Sequence, residues 1–357
     1  MLNKLMQIPP FSLNKTEKRE ALTLRLLELT NSHRANCGEY AAMLRAAGFN
    51  AAKCKDYYDI PFLPVSLFKE LSLKSIKDED IFKILTSSGT SGQAVSKIYL
   101  DKPTANNQQK TLTRIVSSFT GAARMPMLII DCPSVIKNRD LFTARGAGVL
   151  GFSIFGTDRV YALNDDMEID TPAILCFLEK HEGKQILLFG FTFMVWLLYK
   201  ELLKLNREFV LDKAVLIHGG GWKKLLSEAV SKDEFKRRLT DICGIKRIHD
   251  YYGMAEQTGC VYMECEYSHL HASVFSDIIT RRHLDFSPCD FGETGIIQVL
   301  SLLPESYPGH SLLTEDQGVI LGEDDCPCGR KGKYFHVQGR LKTAELRGCS
   351  DVYANIG

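Results

Sequence analysis

Leu85-Thr86-Ser87-Ser88-Gly89-Thr90-Ser91-Gly92 is a hydroxyl- and glycine-rich segment that follows directly on the apolar run from Ile81 to Leu85. Its two glycines allow the sharp turn that brings backbone N–H groups close to an anion. Its hydroxyl groups offer donors that reorient around phosphate oxygens. A Walker loop has a lysine directly after its last glycine, whereas Gln93 follows Gly92 here. The segment therefore predicts a phosphate-binding loop of another type, with a solvated turn as the alternative.

Four further motifs follow this loop along the chain. They are His218-Gly219-Gly220-Gly221-Trp222, Asp250-Tyr251-Tyr252-Gly253-Met254-Ala255-Glu256-Gln257-Thr258, Thr314-Glu315-Asp316 and Gly339-Arg340-Leu341-Lys342. In this order the five motifs resemble those of the adenylate-forming superfamily. Within it the chain is most similar to the acyl-protein synthetases, the LuxE fatty-acid-activating component of bacterial bioluminescence reductases, and less so to phenylacetate-CoA ligases. The resemblance extends from Ile60–Pro64 to Arg347–Tyr353.

The resemblance implies a nucleotide site that uses ATP and Mg²⁺. The residues it assigns to nucleotide binding are Ser87, Ser88, Gly89, Thr90, Ser91, Gly92, Gly219, Gly220, Gly221, Tyr251, Tyr252, Gly253, Asp316 and Arg340. Tyr252 is implied to stack on adenine, Asp316 to accept hydrogen bonds from the ribose hydroxyls, and Arg340 to brace ribose or phosphate. Glu256 matches the magnesium ligand, in keeping with the preference of this cation for oxygen, and Thr90 joins it as a catalytic residue.

The composition argues against two classes of partner. The chain has 44 basic and 43 acidic residues and no basic block, so we expect no binding to nucleic acid or anionic membranes. Its longest apolar run, Ile186 to Tyr199, has 14 residues against the roughly 20 that cross a bilayer, which predicts a buried helix and no transmembrane segment. No secretory signal is evident, and eleven scattered cysteines predict reduced thiols in the cytoplasm.

Apolar runs that alternate with helical stretches predict an α/β fold with buried strands. Examples are Met127–Ile130, Gln185–Phe189 and Ala214–Ile217. The expected architecture is an adenylate-forming large domain with a smaller β-rich subdomain. The predicted divisions are an N-terminal helical segment (1–75), an α/β adenylation core (76–290), a β-rich subdomain (291–345) and a C-terminal tail (346–357).

Cys265, His271, Cys326 and Cys328 form a second set of candidate residues. Three thiolates and an imidazole would complete a tetrahedral zinc site with no open position, and such a site stabilises structure without catalysing. The resemblance also implies this site, because zinc-binding relatives among the aryl-CoA ligases place their metal ligands similarly. His269 is an alternative ligand, and reduced thiols without metal are the alternative to zinc.

The end of the chain carries a candidate acyl acceptor. Cys349, flanked by Arg347 and Asp351, matches the cysteine that becomes acylated in acyl-protein synthetases. A thiol with a pKa of about 8.5 is partly ionised at neutral pH, and Arg347 would increase the thiolate fraction. A small buried cysteine is the alternative. Because only 17 residues follow Arg340, the C-terminal lid domain of superfamily ligases is expected to be absent.

Together these features predict an ATP-dependent acyl-protein synthetase. A fatty acid and ATP would give acyl-AMP and pyrophosphate, the acyl group would pass to Cys349, and a partner acyl reductase would collect it. Two alternatives stay open: an acyl- or aryl-CoA ligase that uses coenzyme A as acceptor, and a non-catalytic, zinc-stapled scaffold protein.

Overall fold

The computed structural model describes residues 1–87, 95–137, 144–205 and 210–341. In chain order the α-helices are α1 (Leu2–Leu5), α2 (Lys15–Asn36), α3 (Gly38–Ala46), α4 (Leu67–Glu70), α5 (Lys102–Thr120), α6 (Ser134–Lys137), α7 (Ala144–Ser153), α8 (Thr171–Lys180), α9 (Thr192–Lys204) and α10 (Lys232–Cys243). The strands are β1 (Leu63–Pro64), β2 (Lys83–Thr86), β3 (Lys97–Leu100), β4 (Met125–Ile130), β5 (Gly156–Tyr161), β6 (Leu187–Phe191), β7 (Val215–Gly219), β8 (Arg247–Tyr252), β9 (Tyr262–Glu264), β10 (Leu270–His271), β11 (Ser276–Arg281), β12 (Thr294–Ser301), β13 (Ser311–Glu323) and β14 (Lys333–Arg340).

The described residues form two compact units. The first unit comprises residues 1–119 and 253–341, and the second comprises residues 120–252. These limits differ from the divisions predicted at residues 75, 290 and 345. Compactness depends on contacts between distant segments, which local sequence patterns do not reveal.

The second unit is an open parallel sheet of strand order β8-β7-β6-β4-β5. Strands β6 and β7 are buried at every residue, which explains their continuous apolar sequences. The chain passes from β4 to β5 on one side and later crosses to β6 on the other. In such sheets, ligands bind at the carboxyl ends of the two strands where the order reverses, here β4 and β6.

The first unit is built mainly from antiparallel strands. Strands β11 to β14 pair in sequence, β14 pairs with β10, β10 pairs with β9, and β1 joins β13 in parallel. Strands β2 and β3 form a separate hairpin. The change to strand-like sequence expected after Gly292 is confirmed by β12, β13 and β14, but the C-terminal series of strands starts earlier, with β9 at Tyr262.

The predicted N-terminal helices are present and belong to the first unit. Asn14 caps α2 in a reciprocal capping box with Glu17, which satisfies backbone donors at the helix start. The buried face of α2 packs toward the C-terminal strands, where His33 Nε2 lies 3.0 Å from the Pro304 carbonyl oxygen. Gly48, with φ +63°, provides the predicted stop after α3.

The prediction of one buried helix from Ile186 to Tyr199 is wrong for its first part. Leu187–Phe191 is strand β6, and helix α9 begins at Thr192. A continuous apolar run has no periodicity that separates a buried strand from a buried helix. Within the described ranges, no helix combines the length and the hydrophobicity that crossing a bilayer requires.

Candidate active site and metal centre

The β2–β3 hairpin fixes both ends of the segment predicted to bind phosphate. The Ser87 N–H donates to the Ser96 carbonyl oxygen at 3.1 Å, and the Ser96 N–H donates to Ser87 Oγ at 2.9 Å. These two bonds close the base of the loop. The predicted phosphate-binding residues outside the described part of the chain are Ser88, Gly89, Thr90, Ser91 and Gly92.

Glu256 is a buried residue of the 3₁₀ turn Ala255–Gln257. The Tyr307 hydroxyl donates to the Glu256 carbonyl oxygen at 2.8 Å. The side-chain amide of Gln257 donates to the carbonyl oxygens of Val299 and Gly309 at 3.1 Å and 2.9 Å. These bonds hold the turn in place through the Glu256 backbone and the Gln257 side chain. They do not involve the Glu256 carboxylate, which can therefore bind a ligand.

The environment of this carboxylate fits a hard cation. Burial raises the pKa of Glu256 above its usual value, the Ser96 hydroxyl and the charge of Lys69 oppose that shift, and the charge of Glu315 adds to it. Lys69 acts on this carboxylate through its charge alone, and among the described residues no lysine or arginine forms an ion pair with it. A buried carboxylate without a cationic partner is costly, and a magnesium ion would supply the missing charge.

Asp316 and Arg340 lie opposite each other on neighbouring strands of the first unit, β13 and β14. Arg340 Nε is 3.8 Å from an Asp316 carboxylate oxygen, and Arg340 Nη2 is 3.4 Å from Glu315. The Asp316 N–H donates to Thr314 Oγ1 at 3.1 Å. The structure thus brings together two predicted nucleotide-binding residues that are 24 positions apart in the sequence.

The glycine turn after β7 is shaped by Tyr251 in the neighbouring strand. A Cβ atom on Gly219 would lie 2.6 Å from Tyr251 Cε1 and 2.8 Å from the Tyr251 carbonyl oxygen. Gly220 has φ +78°, which favours glycine, whereas a Cβ on Gly221 would meet no atom within 4 Å. The need for glycine at Gly219 therefore comes from a tyrosine of the protein itself, not only from the predicted approach of the base.

The two tyrosines at the end of β8 have different surroundings. The Tyr251 ring lies 4.9 Å from the Phe152 ring and 6.3 Å from the Phe189 ring, centroid to centroid, within an aromatic cluster. Tyr252 is the next residue along the strand and so faces the opposite side. Gly253 follows it as the first residue of the continuation of the first unit. Stacking of Tyr252 on adenine stays a prediction.

Two polar groups in the second unit were not identified from the sequence as structural. Asp131, at the carboxyl end of β4, is buried and bonded to Arg145, with Nε 2.9 Å from Oδ2. His218 Nδ1 lies 3.0 Å from Thr192 Oγ1 and joins the starts of the glycine turn and α9. No local pattern signals either pairing, because each depends on how the strands and helices assemble.

The predicted metal ligands come together in the first unit. One ligand atom from each of these residues lies within 4.8 Å of all the others: Cys265, His271, Cys326 and Cys328. The Cys265 and Cys326 sulfurs are 4.0 Å apart, and Cys328 Sγ is 3.4 Å from His271 Nε2. Zinc bond lengths in a tetrahedron give edges of about 3.8 Å between sulfurs and about 3.6 Å between sulfur and nitrogen. The residues therefore have the spacing of a Cys₃His zinc site.

The surroundings of these donors suit metal binding. Burial lowers the pKa of His271 to about 3, so its imidazole is neutral and free to coordinate. Burial raises the pKa of Cys326 to about 12, so without a metal this thiol stays protonated, and a bound metal would have to displace that proton. His269 is outside the ligand set, and its Nδ1 lies 3.2 Å from Cys326 Sγ as a supporting partner.

The chain matches one protein family along nearly all of its length. The family model described as "Acyl-protein synthetase, LuxE" matches residues 2–356. A long-chain-fatty-acid–luciferin-component ligase from Vibrio harveyi is 25% identical over 349 residues, which cover 94% of this chain and 88% of that protein. The protein of the same name from Aliivibrio fischeri is 26% identical over 305 residues, which cover 84% of this chain and 79% of that protein.

Solved structures of ligases share the fold. The open conformation of 2-hydroxyisobutyryl-CoA ligase with 2-HIB-AMP and CoA gives a TM-score of 0.74 at 14% identity, covering 94% of this chain and 77% of that chain. ATP-bound MatB from Rhodopseudomonas palustris gives 0.50 at 17% identity, covering 74% and 49%. The predicted α/β adenylate-forming fold is confirmed. The chain belongs to the LuxE family of acyl-protein synthetases and is an AMP-forming ligase.

Proposed function

We propose that this chain activates a long-chain fatty acid with ATP and then carries the acyl group on Cys349. The observation that carries the first step is the buried Glu256 carboxylate, which has no cationic partner among the described residues and neighbours the base of the phosphate loop. Family membership and the names of the two related ligases support a fatty acid as substrate.

The first step replaces a poor leaving group by a good one. A carboxylate oxygen of the fatty acid attacks the α-phosphorus of ATP, a new P–O bond forms, and pyrophosphate leaves with the electrons of the broken bond. Glu256 would hold magnesium, which neutralises charge on the leaving pyrophosphate. Asp316 accepts hydrogen bonds from the ribose, Arg340 braces the nucleotide, and Thr90 with its neighbouring hydroxyls binds phosphate oxygens.

In the second step the thiolate of Cys349 attacks the acyl carbonyl carbon, and the C–O bond to AMP breaks. The products are a thioester on Cys349 and free AMP. A thioester keeps the acyl carbon reactive, so a partner acyl reductase can accept it. Arg347, two residues away in the sequence, favours the thiolate through its positive charge.

Two readouts on one set of variants test this function. Wild-type protein, Mg²⁺, ATP and a labelled fatty acid are expected to give both ATP–pyrophosphate exchange and covalent label. Cys349→Ser should keep the exchange and lose the stable label, whereas Cys176→Ser, which changes an exposed cysteine on α8, should keep both. Glu256→Gln should lose the exchange by at least a hundredfold, since it removes a ligand charge at the metal.

Other outcomes would contradict the proposal in distinct ways. Label that persists in Cys349→Ser would refute the role of this thiol. Formation of acyl-CoA from added coenzyme A, without protein label, would identify an acyl-CoA ligase. Failure to bind ATP at all would favour the scaffold alternative.

We also propose that Cys265, His271, Cys326 and Cys328 bind one structural zinc ion. All four tetrahedral positions would be filled by protein, which leaves no place for a substrate. The ion would join the turn between β9 and β10 to the loop that follows β13. Folding energy and zinc affinity would then be linked.

Metal analysis tests this second proposal. Freshly purified protein is expected to contain one zinc per chain. Cys328→Ser should lose zinc and melt at a lower temperature, while the control Cys289→Ser, which changes a cysteine outside the cluster, should keep it. Wild-type protein free of zinc, or equal zinc in both variants, would refute the site.

A further inference from the structure

Ser96 is a buried residue whose hydroxyl group makes no hydrogen bond of ordinary geometry. Its backbone is fixed by the two hydrogen bonds to Ser87 at the base of the phosphate loop. The residue has 0% of its surface exposed, and its Oγ has no hydrogen-bond partner among the described residues. Buried hydroxyls nearly always have partners, so this one points to a ligand that completes the site.

The hydroxyl neighbours the carboxylate of Glu256, which it stabilises, without forming a hydrogen bond of ordinary geometry. A second link connects the same two segments. Ser306 Oγ donates to the Tyr99 carbonyl oxygen on β3 at 2.8 Å, and the adjacent Tyr307 donates to the Glu256 carbonyl oxygen at 2.8 Å. The hairpin that carries Ser96 and the turn that carries Glu256 are therefore held in fixed relation within the first unit.

The Ser96 hydroxyl has no hydrogen-bond partner, and the neighbouring Glu256 carboxylate has no ion-pair partner among the described residues. Such a pair of groups is expected beside a hydrated divalent ion. Mg²⁺ keeps several water ligands when proteins bind it through one or two carboxylates. A serine hydroxyl can donate to the carboxylate and accept from a metal-bound water at the same time. Ser96 is buried beside this carboxylate, and its hydroxyl is available for both bonds.

We propose that Ser96 is a positioning residue for the magnesium ion: its hydroxyl orients the Glu256 carboxylate and accepts a hydrogen bond from a water ligand of the metal. This inference rests on the proposed role of Glu256. It adds a link from the phosphate loop to the metal ligand, because the residue that closes the loop base also contacts the cation's hydration shell. Neither the glycine-rich motif nor the Tyr-Gly-x-x-Glu motif contains this residue.

The Ser96→Ala variant is expected to keep its stability and to lose affinity for the metal. Removing a hydroxyl that has no protein partner leaves stability unchanged or slightly higher. Loss of its bonds to carboxylate and water is expected to weaken binding of Mn²⁺, used as an observable substitute for Mg²⁺, about tenfold in the presence of ATP. Electron paramagnetic resonance measures the free Mn²⁺, and a thermal melt measures stability.

Two further variants serve as controls. Ser273→Ala removes a buried hydroxyl that accepts from the Phe275 N–H and bonds neither to the hairpin nor to the Glu256 turn, so it should lower stability and leave Mn²⁺ affinity unchanged. Ser96→Thr retains the hydroxyl and should restore most of the affinity. ATP binding without metal, measured by calorimetry in EDTA, should be the same in Ser96→Ala and wild type.

The results separate this inference from the proposed function. If Glu256→Gln loses Mn²⁺ binding and Ser96→Ala does not, the role of Ser96 is wrong while that of Glu256 stands. If Glu256→Gln binds Mn²⁺ normally, the metal site itself is wrong. A large drop in stability of Ser96→Ala, or an equal loss of ATP affinity with and without metal, would also overturn the role of Ser96.

Discussion

Replacing Gly219 by alanine is expected to destabilise the second unit and to weaken ATP binding. The new Cβ would lie 2.6 Å from Tyr251 Cε1 and 2.8 Å from both Tyr251 Cδ1 and the Tyr251 carbonyl oxygen. Favourable contacts between carbon atoms begin near 3.5 Å. Gly219 and Tyr251 are register partners in β7 and β8, so the carbonyl cannot withdraw without disturbing the strand pairing.

The magnitude follows from what must move. The Tyr251 ring would shift against Phe152 and Phe189, which are both buried and in close ring contact with it. Such overpacking costs about 2 kcal/mol, which lowers the melting temperature of a unit of this size by about 5 to 10 °C. A shift of the end of β8 also moves Tyr252, so we expect the KM for ATP to rise about tenfold.

Gly221→Ala is the matched control. Its Cβ would meet no atom within 4 Å, so the variant should melt within about 1 °C of wild type. If Gly221 lets the base approach the backbone, as predicted from the sequence, this variant raises the KM for ATP without any change in melting. Differential scanning calorimetry and steady-state kinetics distinguish the two effects. Wild-type melting of Gly219→Ala would refute the role assigned to the Tyr251 contact.

Three further predictions concern buried charge and the ribose site. Burial lowers the pKa of His33 from 6.5 to about 4, so the unfolded chain binds more protons between these values and stability falls as the pH drops through this range. His33→Gln should remove up to about 3 kcal/mol of that fall, measured by urea unfolding at pH 7 and pH 4, and an unchanged pH dependence would contradict the assignment. Asp277→Asn should lower the free energy of unfolding by about 3 to 5 kcal/mol, measured with denaturant. The substitution removes the carboxylate that the buried ammonium groups of Lys18 and Lys333 share, at 3.5 Å and 3.1 Å. A loss below about 1 kcal/mol would argue against this ion-pair role. Asp316→Ala should raise the KM for ATP about tenfold in steady-state kinetics yet leave the KM for 2′,3′-dideoxy-ATP unchanged, whereas an equal effect on both nucleotides would exclude a ribose contact.

Some residues that lie far apart in the sequence could be predicted to lie together in the fold, because their side chains have distinctive chemistry. Cys328 and His271 are 57 positions apart, yet their proximity was predicted, because cysteines and a histidine in short motifs are typical of metal-binding sites. The expected strands in the second unit were likewise recognised, because continuous apolar runs that end in glycine or polar residues are typical of buried parallel strands.

The features that were missed depend on contacts between distant elements. The requirement for glycine at Gly219 comes from Tyr251 in an adjacent strand, and the sequence does not show which strands pair. The packing of α2 with strands more than 200 positions later also has no local signal in the sequence, as the contact of Lys18 with Asp277 shows. The sequence gives no indication of the role proposed for Ser96, because that proposal starts from a buried hydroxyl without a hydrogen-bond partner in the folded structure.

Transfer of ¹⁸O from a labelled fatty acid tests the central claim most directly. Fatty acid with ¹⁸O in its carboxylate is incubated with the protein, Mg²⁺ and ATP, and the nucleotide products are analysed by mass spectrometry. Attack of the carboxylate on the α-phosphorus, followed by transfer of the acyl group to the thiol, predicts AMP that carries one ¹⁸O atom. ADP together with labelled inorganic phosphate, or AMP free of ¹⁸O, would contradict the acyl-adenylate mechanism.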